Sequence, residues 1–382
     1  MPTDLSTKLI IGEALYDGVS FEPKQNMAVE FSGRFITDVR PASFADTTGA
    51  SARAEIICPG FVDIQINGAN DVQFNDSPTV EGIAAIAKGA RKGGTTHILP
   101  TYITDRATSY ETAIAAVANA RANNVSGVLG IHLEGPFISP VRAGVHPPDC
   151  IRAIQEKDLE LLTQSTCGVR LITLAPEEAQ VGAIHRLTQS GAVVFAGHSA
   201  ASYDEMNIAI SEGLKGATHL YNAMSQITVR EPGVVGSVLG SNDLYAGVIA
   251  DGLHVHPTNL QIAKNALAGR LCLVTDAMMT LAGNKTSFDI HGNKIHLSGK
   301  QLSDTTGRLA GAHLAMDEAV RNMMSFCNTS LAETLYMASV APIKAIGLSD
   351  MMGRLAPGYI ASMTLLDNQI NAVATVVDGR VF

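Results

Sequence analysis

Two histidines and two carboxylates in this sequence have the types and positions needed for a hydrolytic metal site. Glu134, His198 and His219 each lie at the end of a short apolar run that favours a β-strand. Two imidazoles and one carboxylate suit a divalent transition metal and leave one coordination position open for water. A metal held in this way activates water as a nucleophile near neutral pH. Asp276 follows another apolar run and is the candidate that takes the proton from this water and returns it to a leaving group.

The alternative is that these residues are structural, because a single histidine at a strand end is more often a hydrogen-bonded residue than a ligand. The three candidate ligands are far apart in the sequence, so their spacing gives no independent support. Their joint occurrence with Asp276 favours the metal site. Five further polar residues lie at predicted strand ends: Gln65, Asn67, Thr101, Glu177 and Asp251.

Eight short apolar runs, separated by about 30 residues on average, have the period of βα units. They lie at 61–65, 96–100, 128–134, 171–175, 193–197, 217–219, 246–250 and 271–276. Helices are predicted between them, at 109–123, 157–163, 178–190 and 202–212. Continuous apolar strands indicate a parallel sheet that is buried on both faces.

We therefore predict an α/β fold with a (β/α)8 TIM-like barrel, in which the carboxyl ends of the strands converge on one mouth. A doubly wound sheet is the structural alternative, but no G-x-G-x-x-G string follows the first strand.

The two ends of the chain have a different pattern from the middle. Short strands are predicted at 8–11, 27–31 and 34–39, and again at 361–366 and 375–381, with Asp-Gly and Ser-Gly turn signals between several of them. Neither end is long enough to bury a core alone. We predict that residues 1–57 and 353–382 form one small, discontinuous β-sandwich domain and that residues 58–352 form the barrel.

Composition excludes several classes of protein. The chain has 382 residues, 46% hydrophobic and only 16% charged, with a net charge of −9, which is unlike a disordered protein. An acidic chain is a poor partner for nucleic acid or an anionic membrane, and no apolar run approaches the roughly 20 residues of a membrane span. Five scattered cysteines and a start without a signal-peptide pattern predict reduced thiols and a cytoplasmic location.

Seven strings, taken together, resemble the N-acetylglucosamine-6-phosphate deacetylase family of the amidohydrolase superfamily. They are CPGFVD at 58–63, HLEGP at 132–136, AGHS at 196–199, THLYNAM at 218–224, REPG at 230–233, ADGLH at 250–254 and VTDA at 274–277. Each string alone is weak, but the set is specific. The resemblance covers essentially the whole chain, including LAPG at 355–358.

The resemblance implies a role for each matching residue. Glu134, His198 and His219 would hold one divalent metal ion per subunit, expected to be Zn²⁺, with Fe, Co or Mn as alternatives. Asp276 would be the general base and then the general acid. His146, in GVHP at 144–147, would polarise the acetyl carbonyl.

The resemblance also implies an amino-sugar phosphate as the substrate. Asn222, the backbone at Ala223, His254 and Arg230 would bind the phosphate, with Arg230 donated by a neighbouring subunit of a homodimer or a dimer of dimers. Val145 and the backbone at Ala310, Gly311 and Ala312 would line the sugar. Each of the charged residues has a plainer interpretation as a surface or helix-terminal contact, since an exposed charge is usually solvated.

Two segments depart from the family's usual pattern. Most amidohydrolases have H-x-H after the first strand for a second metal, but here Gln65 and Asn67 occupy those positions. Neutral amides are poor Zn²⁺ ligands, so a single metal is expected. The segment AGAH at 310–313 has fewer hydroxyl groups than the family's Ser-rich form, which leaves the preferred sugar epimer open.

The sequence thus predicts a metal-dependent hydrolase that converts N-acetylglucosamine 6-phosphate to glucosamine 6-phosphate and acetate. The nearest alternative is the same reaction on N-acetylgalactosamine 6-phosphate. A cyclic-amide hydrolase is less favoured because of the phosphate-facing set. A catalytically silent sugar-phosphate sensor is a further alternative, but it would not need Asp276.

Overall fold

A computed structural model describes residues 7–382 and contains an eight-stranded parallel sheet that curls into a barrel, which confirms the predicted fold class. Its strands pair in chain order, and almost every residue in them is buried. Barrel strands 1 to 8 are Phe61–Ile66, Thr95–Ile103, Gly130–Glu134, Val169–Leu174, Val193–Ala196, Gly216–Ala217, Tyr245–Ile249 and Leu271–Val274. Each of the eight coincides with one of the predicted runs.

The barrel closes between strands 8 and 1 at their carboxyl ends. The backbone N–H of Asp276 donates to the carbonyl of Gln65 at 2.9 Å, and the N–H of Asn67 donates to the carbonyl of Ala277 at 2.9 Å. This closure places residues from the first and last strands side by side at the mouth.

Helices surround the barrel, and several begin at a serine or threonine that caps the first turn. The α-helices after the first barrel strand are Val80–Arg91, Tyr110–Ala122, Glu156–Gln164, Ala183–Gln189, Tyr203–Ser211, Gly233–Gly240, Pro257–Leu267, Met316–Cys327 and Leu331–Ala345. Ser202 and Ser330 form reciprocal capping boxes with Glu205 and Glu333. Short 3₁₀ turns occupy Pro140–Arg142, Pro148–Cys150 and Pro176–Glu178.

The helix predicted over 178–190 begins later than expected. Gly182 has a left-handed φ of +88°, which a continuous right-handed helix does not allow, so the helix starts at Ala183. The preceding residues form the separate turn Pro176–Glu178.

Both chain ends contribute to one seven-stranded mixed sheet. Its strands in the sequence are Thr7–Leu15, Lys24–Ser32, Phe35–Pro41, Ala52–Pro59, Met363–Leu366, Ala372–Val377 and Arg380–Val381, and a short helix covers Asp46–Gly49. Ala52–Pro59 pairs with strands from both ends of the chain, which makes it the link between them. The last predicted strand is two strands, because Asp378 and Gly379 form a turn with positive φ. Residues 1–6 of the predicted small domain lie outside the described part.

The small sheet packs on the amino-terminal end of the barrel, away from the mouth. Thr364 connects the two parts, since its hydroxyl donates to the carbonyl of Gly94 at 2.7 Å and accepts from the N–H of Phe61 at 3.0 Å. Chemistry at the mouth is therefore left to the loops that follow the barrel strands.

A three-stranded antiparallel sheet that the sequence analysis did not predict follows the eighth barrel strand. Its strands are Ser287–Ile290, Asn293–Ser298 and Gln301–Asp304, and a two-stranded pair, Gly68–Ala69 with Val72–Gln73, lies after the first barrel strand. The three-stranded sheet contributes Phe288, Ile295 and Leu302 to an apolar cluster that includes Ile103 and Met278. It thereby forms one wall beside the mouth.

Within residues 7–382, no helix has both the length and the apolar character needed to cross a membrane. The five cysteines are free thiols, and all except Cys150 are buried.

Candidate active site

Glu134, His198 and His219 meet at the carboxyl end of the barrel, and all three are buried. Oε1 of Glu134 lies 3.1 Å from Nε2 of His198 and 2.8 Å from Nε2 of His219, and the two Nε2 atoms are 3.1 Å apart. Three ligand atoms on a tetrahedral zinc, with bonds of about 2.0–2.1 Å, are separated by roughly 3.3 Å. The distances among Oε1 of Glu134 and the two histidine Nε2 atoms are close to this value, so the donor set fits a divalent metal.

The loops after the strands aim these side chains over the mouth. His198 and His219 each come two residues after a barrel strand ends, and both have left-handed φ values, +48° and +32°. Asp276 repeats the arrangement after the eighth strand, with a φ of +48°. Left-handed backbone is uncommon for residues other than glycine and often marks a functional site.

The protonation states of His198 and Glu134 are suited to binding a cation. His198 donates from Nδ1 to the carbonyl of Arg142 at 2.8 Å, which leaves the lone pair of Nε2 for a metal. Burial alone would raise the pKa of Glu134, but the close contacts of its carboxylate with the imidazole rings of His198 and His219 outweigh burial and hold that pKa well below its usual range. Glu134 is thus an anionic ligand at neutral pH.

Asp276 lies in the same cleft and is held by the first barrel strand. Nδ2 of Asn67 donates to Oδ1 of Asp276 at 2.6 Å. Burial, followed by the negative charge of Glu134, raises the pKa of Asp276 to about 6. A carboxyl group with a pKa near the working pH can accept and return a proton.

Gln65 and Asn67, which replace the H-x-H pair, use their side-chain N–H groups for hydrogen bonds to carboxylates. The side-chain amide of Gln65 donates to the carboxylate of Glu134 at 3.3 Å, while that of Asn67 bonds to Asp276. These amides therefore orient the two carboxylates.

Below Asp276, Asp63 anchors the loop that carries it. The carboxylate of Asp63 is fully buried, accepts from the N–H of Thr275 at 3.2 Å and also accepts from the Thr275 hydroxyl. Burial raises the pKa of Asp63 to about 7. The role of Asp63 was not predicted from the sequence, since its position inside the barrel is visible only in the fold.

His146 reaches the site from the loop after the third barrel strand. Its ring lies edge-on to His198, with centroids 4.4 Å apart, and it is 3% exposed. Burial and then the neighbouring His198 hold the pKa of His146 well below its usual range, so the imidazole is neutral. A neutral imidazole here can donate one hydrogen bond to a bound carbonyl.

A cleft of about 480 Å³ opens over these residues. Of the four residues predicted to line the sugar, Val145 and Gly311 line this cleft, whereas Ala310 and Ala312 are not among its lining residues. Ala310 is buried in the apolar cluster of the three-stranded sheet, and Ala312 instead donates its N–H to the carbonyl of Asp276 at 2.9 Å. Gly311 lies between them with a left-handed φ of +64°, so the chain bends at the residue that reaches the cleft.

The predicted phosphate-binding residues divide into two groups. Asn222, Ala223 and His254 line the cleft. His254 donates from Nδ1 to Oδ2 of Asp251 at 2.6 Å, which leaves its Nε2 edge for a ligand. Arg230 is exposed on the loop that also presents Ile227 and Val229, and it is not among the described residues that line the cleft of its own chain.

Several lining residues carry no motif and were missed. The cleft is also lined by Ile103, Val141, Arg142, Met278, Arg308 and Leu309. Arg308 donates to the carbonyl of Gly144 at 3.0 Å and so links the three-stranded sheet to the loop of His146. An arginine after a turn gives no sequence signal of such a contact.

The sequence matches the model of the Amidohydrolase family over residues 56–382. This chain is a member of the amidohydrolase family. Among curated relatives, an N-acetylgalactosamine-6-phosphate deacetylase of Shewanella sp. (strain ANA-3) is 38% identical over 93% of this amidohydrolase and 91% of the relative. An N-acetylglucosamine-6-phosphate deacetylase of Haemophilus influenzae is 32% identical, over 94% and 96% of the two chains.

Solved structures give the same relationship. The amidohydrolase superposes on N-acetylglucosamine-6-phosphate deacetylase from Pasteurella multocida with a TM-score of 0.93 and 32% identity, covering 99% of this chain and 100% of the other. The family resemblance drawn from the seven strings is confirmed.

Proposed function

We propose that this amidohydrolase removes the acetyl group of N-acetylglucosamine 6-phosphate, giving glucosamine 6-phosphate and acetate. One observation carries the proposal: Glu134, His198, His219 and Asp276 meet in a single cleft, with a three-ligand set beside a carboxyl group that can move a proton. The relatives and the solved neighbour named above supply the substrate class.

Glu134, His198 and His219 would hold one divalent metal ion, for which Zn²⁺ is the first choice and Fe, Co or Mn are alternatives. When bound, such an ion lowers the pKa of a water molecule and polarises a carbonyl oxygen. The residues at Gln65 and Asn67 support a single metal, because neutral amides are poor Zn²⁺ ligands and their N–H groups are directed at Glu134 and Asp276.

Asp276 would take a proton from the attacking water as the water oxygen bonds to the acetyl carbon. It would return this proton to the amide nitrogen as the C–N bond breaks, which leaves acetate and the free amine. His146 would donate a hydrogen bond to the carbonyl oxygen as negative charge develops there.

At the other end of the cleft, Asn222, Ala223 and His254 would bind the 6-phosphate, and Arg230 would come from a neighbouring subunit. Arginine matches phosphate with paired N–H donors. The exposure of Arg230 on a loop with Ile227 and Val229 supports this assignment, since two apolar side chains beside an unburied arginine are suited to a subunit interface. We propose a homodimer or a dimer of dimers.

A second candidate substrate is N-acetylgalactosamine 6-phosphate, which differs from the first only as a sugar epimer. Two observations favour it: the Ala310–His313 segment lacks the family's usual serines, and the Shewanella relative is an N-acetylgalactosamine-6-phosphate deacetylase. The two reactions share every residue at the amide and differ only where the sugar ring lies.

The deciding experiment measures acetate release from both 6-phosphates by purified protein of known metal content. We expect turnover on N-acetylglucosamine 6-phosphate to exceed that on the galactose epimer. The reverse order would select the second candidate, and no acetate from either would favour a silent sugar-phosphate sensor.

The free cysteines are consistent with a proposed cytoplasmic location.

A further inference from the structure

The Nδ1 atom of His146 faces two polar groups of a single residue, Thr104. The hydroxyl oxygen of Thr104 lies 2.9 Å from Nδ1, and its backbone nitrogen lies 3.3 Å from Nδ1. A backbone N–H can only donate, so Nδ1 of His146 must be the acceptor and carry a lone pair. In a neutral imidazole the hydrogen is then on Nε2.

The side chain of Thr104 reinforces this arrangement. In the described residues 7–382, its hydroxyl has no hydrogen-bond partner other than His146, so donation to Nδ1 satisfies it. The N–H of Thr104 is shared with the carbonyl of Glu134 at 3.2 Å, which ties His146 to the backbone of a proposed metal ligand. The opposite tautomer would set an imidazole N–H against a backbone N–H.

Close packing excludes other positions for these groups. Thr104 is 1% exposed and His146 is 3% exposed. A Cβ on Gly135 would lie 2.2 Å from the hydroxyl oxygen of Thr104 and 3.6 Å from Nδ1 of His146, so only glycine fits beside them. The hydroxyl is therefore confined against the backbone turn that follows Glu134.

We propose that Thr104 is a positioning residue that fixes His146 as the Nε2–H tautomer. This inference rests on the proposed function, in which His146 donates to the acetyl carbonyl oxygen. With Nδ1 held by Thr104, the Nε2 edge of the ring is the one available to the cleft that His146 lines. Nε2 of His146 therefore already carries the hydrogen that it donates to the acetyl carbonyl oxygen, and the ring does not have to change tautomer first.

Long-range ¹H–¹⁵N correlation spectra of histidine-labelled, zinc-loaded protein report the tautomer directly. The His146→Gln variant assigns the His146 resonances by their disappearance. We expect an unprotonated Nδ1 and a protonated Nε2 in the wild type and in Thr104→Ser, with a larger Nδ1–H population in Thr104→Val. A protonated Nδ1 in the wild type would overturn the proposal.

Activity gives a separate readout. Loss of one neutral hydrogen bond corresponds to a fall of about three- to tenfold, and we expect it in kcat of Thr104→Val, with KM changed by less than about twofold. Thr104→Ser should restore kcat. Thr280→Val is the matched control, since its hydroxyl also lies 2.9 Å from a histidine Nδ1, that of His313, and neither residue lines the cleft.

The two readouts separate the inference from the function on which it rests. Unchanged spectra and unchanged kcat in Thr104→Val would remove the side chain of Thr104 from the positioning of His146. Full turnover in His146→Gln would remove His146 from the reaction, whereas the tautomer would still be known from the spectra.

Discussion

The side-chain amide of Asn67 donates a 2.6 Å hydrogen bond to Oδ1 of Asp276, joining residues that are 209 positions apart. Asn67 follows the first barrel strand and Asp276 follows the eighth, so the bond exists only because the barrel closes. It holds one carboxylate oxygen and leaves the other for a proton. The amide that stands where most amidohydrolases have a histidine is therefore a partner of the proposed base.

Removal of the base should reduce turnover and leave the metal in place. Asp276→Asn keeps the shape of the side chain but cannot accept a proton, so we expect kcat to fall by about 10²–10⁴-fold. Metal content, measured on the same sample, should remain at the wild-type value because the three ligands are intact. Turnover close to that of the wild type would exclude Asp276 from proton transfer.

The dependence of kcat/KM on pH should show the ionisation of Asp276 as a fall in activity on the acidic side. The base must be ionised, and its pKa is raised to about 6, so kcat/KM should fall as the pH drops through about 6. The bond from Asn67 lowers this pKa, so its loss in Asn67→Ala should move the fall of kcat/KM to higher pH.

The matched control for that experiment is Asn371→Ala. The amide of Asn371 donates to Asp367 at 2.9 Å in the turn between the strands Met363–Leu366 and Ala372–Val377, far from the mouth. Its profile should coincide with that of the wild type. If the pH profile of Asn67→Ala also coincides with that of the wild type, the bond from Asn67 does not determine the pH at which activity falls.

One tightly bound metal ion per chain is expected. Dialysis against a chelator should abolish turnover, and one equivalent of Zn²⁺ should restore it. Glu134→Gln removes the anionic ligand, so we expect its metal content after dialysis to be far below that of the wild type. Elemental analysis that finds two ions per chain, both needed for turnover, would contradict the single-metal assignment.

Asp63 should make stability depend on pH in a predictable direction. Its pKa is about 7 when folded and about 3.9 when unfolded, so the folded state binds a proton that the unfolded state has lost. This contribution is complete below about pH 4 and is lost as the pH rises through 7, and the part lost between pH 5 and pH 8 amounts to roughly 2–3 kcal/mol.

Asp63→Asn keeps the volume of the side chain and removes the titration. Thermal unfolding of both proteins between pH 5 and pH 8 checks the prediction, and the wild type should lose more stability across this range than the variant. Parallel pH dependences would mean that Asp63 remains ionised in the folded barrel.

The origin of Arg230 can be tested by mixing two defective chains. Arg230→Ala should slow deacetylation of the 6-phosphate by roughly ten- to a hundredfold, the value of a hydrogen bond to a charged group. A dimer of one Asp276→Asn chain and one Arg230→Ala chain contains one site with both residues intact, if Arg230 crosses the interface. Such hybrids, purified by two different tags, should recover about half of the wild-type turnover. Hybrids as inactive as their parents would place Arg230 in its own chain's site or outside phosphate binding.

The local pattern of the sequence was sufficient for the barrel and for the proposed metal ligands. Continuous apolar runs at a regular spacing specify buried parallel strands, and the carboxyl ends of such strands must share one mouth. Glu134, His198 and His219 could be chosen for this reason before any fold was known. The three-stranded sheet at 287–304 was missed, because its short strands lie outside the βα period.

Contacts between residues distant in the chain were decided only by the tertiary structure. The bonds of Asn67 to Asp276, of Thr104 to His146 and of Asp63 to Thr275 have no signature in the sequence, because each depends on how separate strands align when the barrel closes. The division between Gly311, which lines the cleft, and Ala310 and Ala312, which do not, has the same origin. Residue types and local spacing encode secondary structure and candidate chemistry, whereas the direction of each side chain is set by packing against partners that the local sequence does not specify.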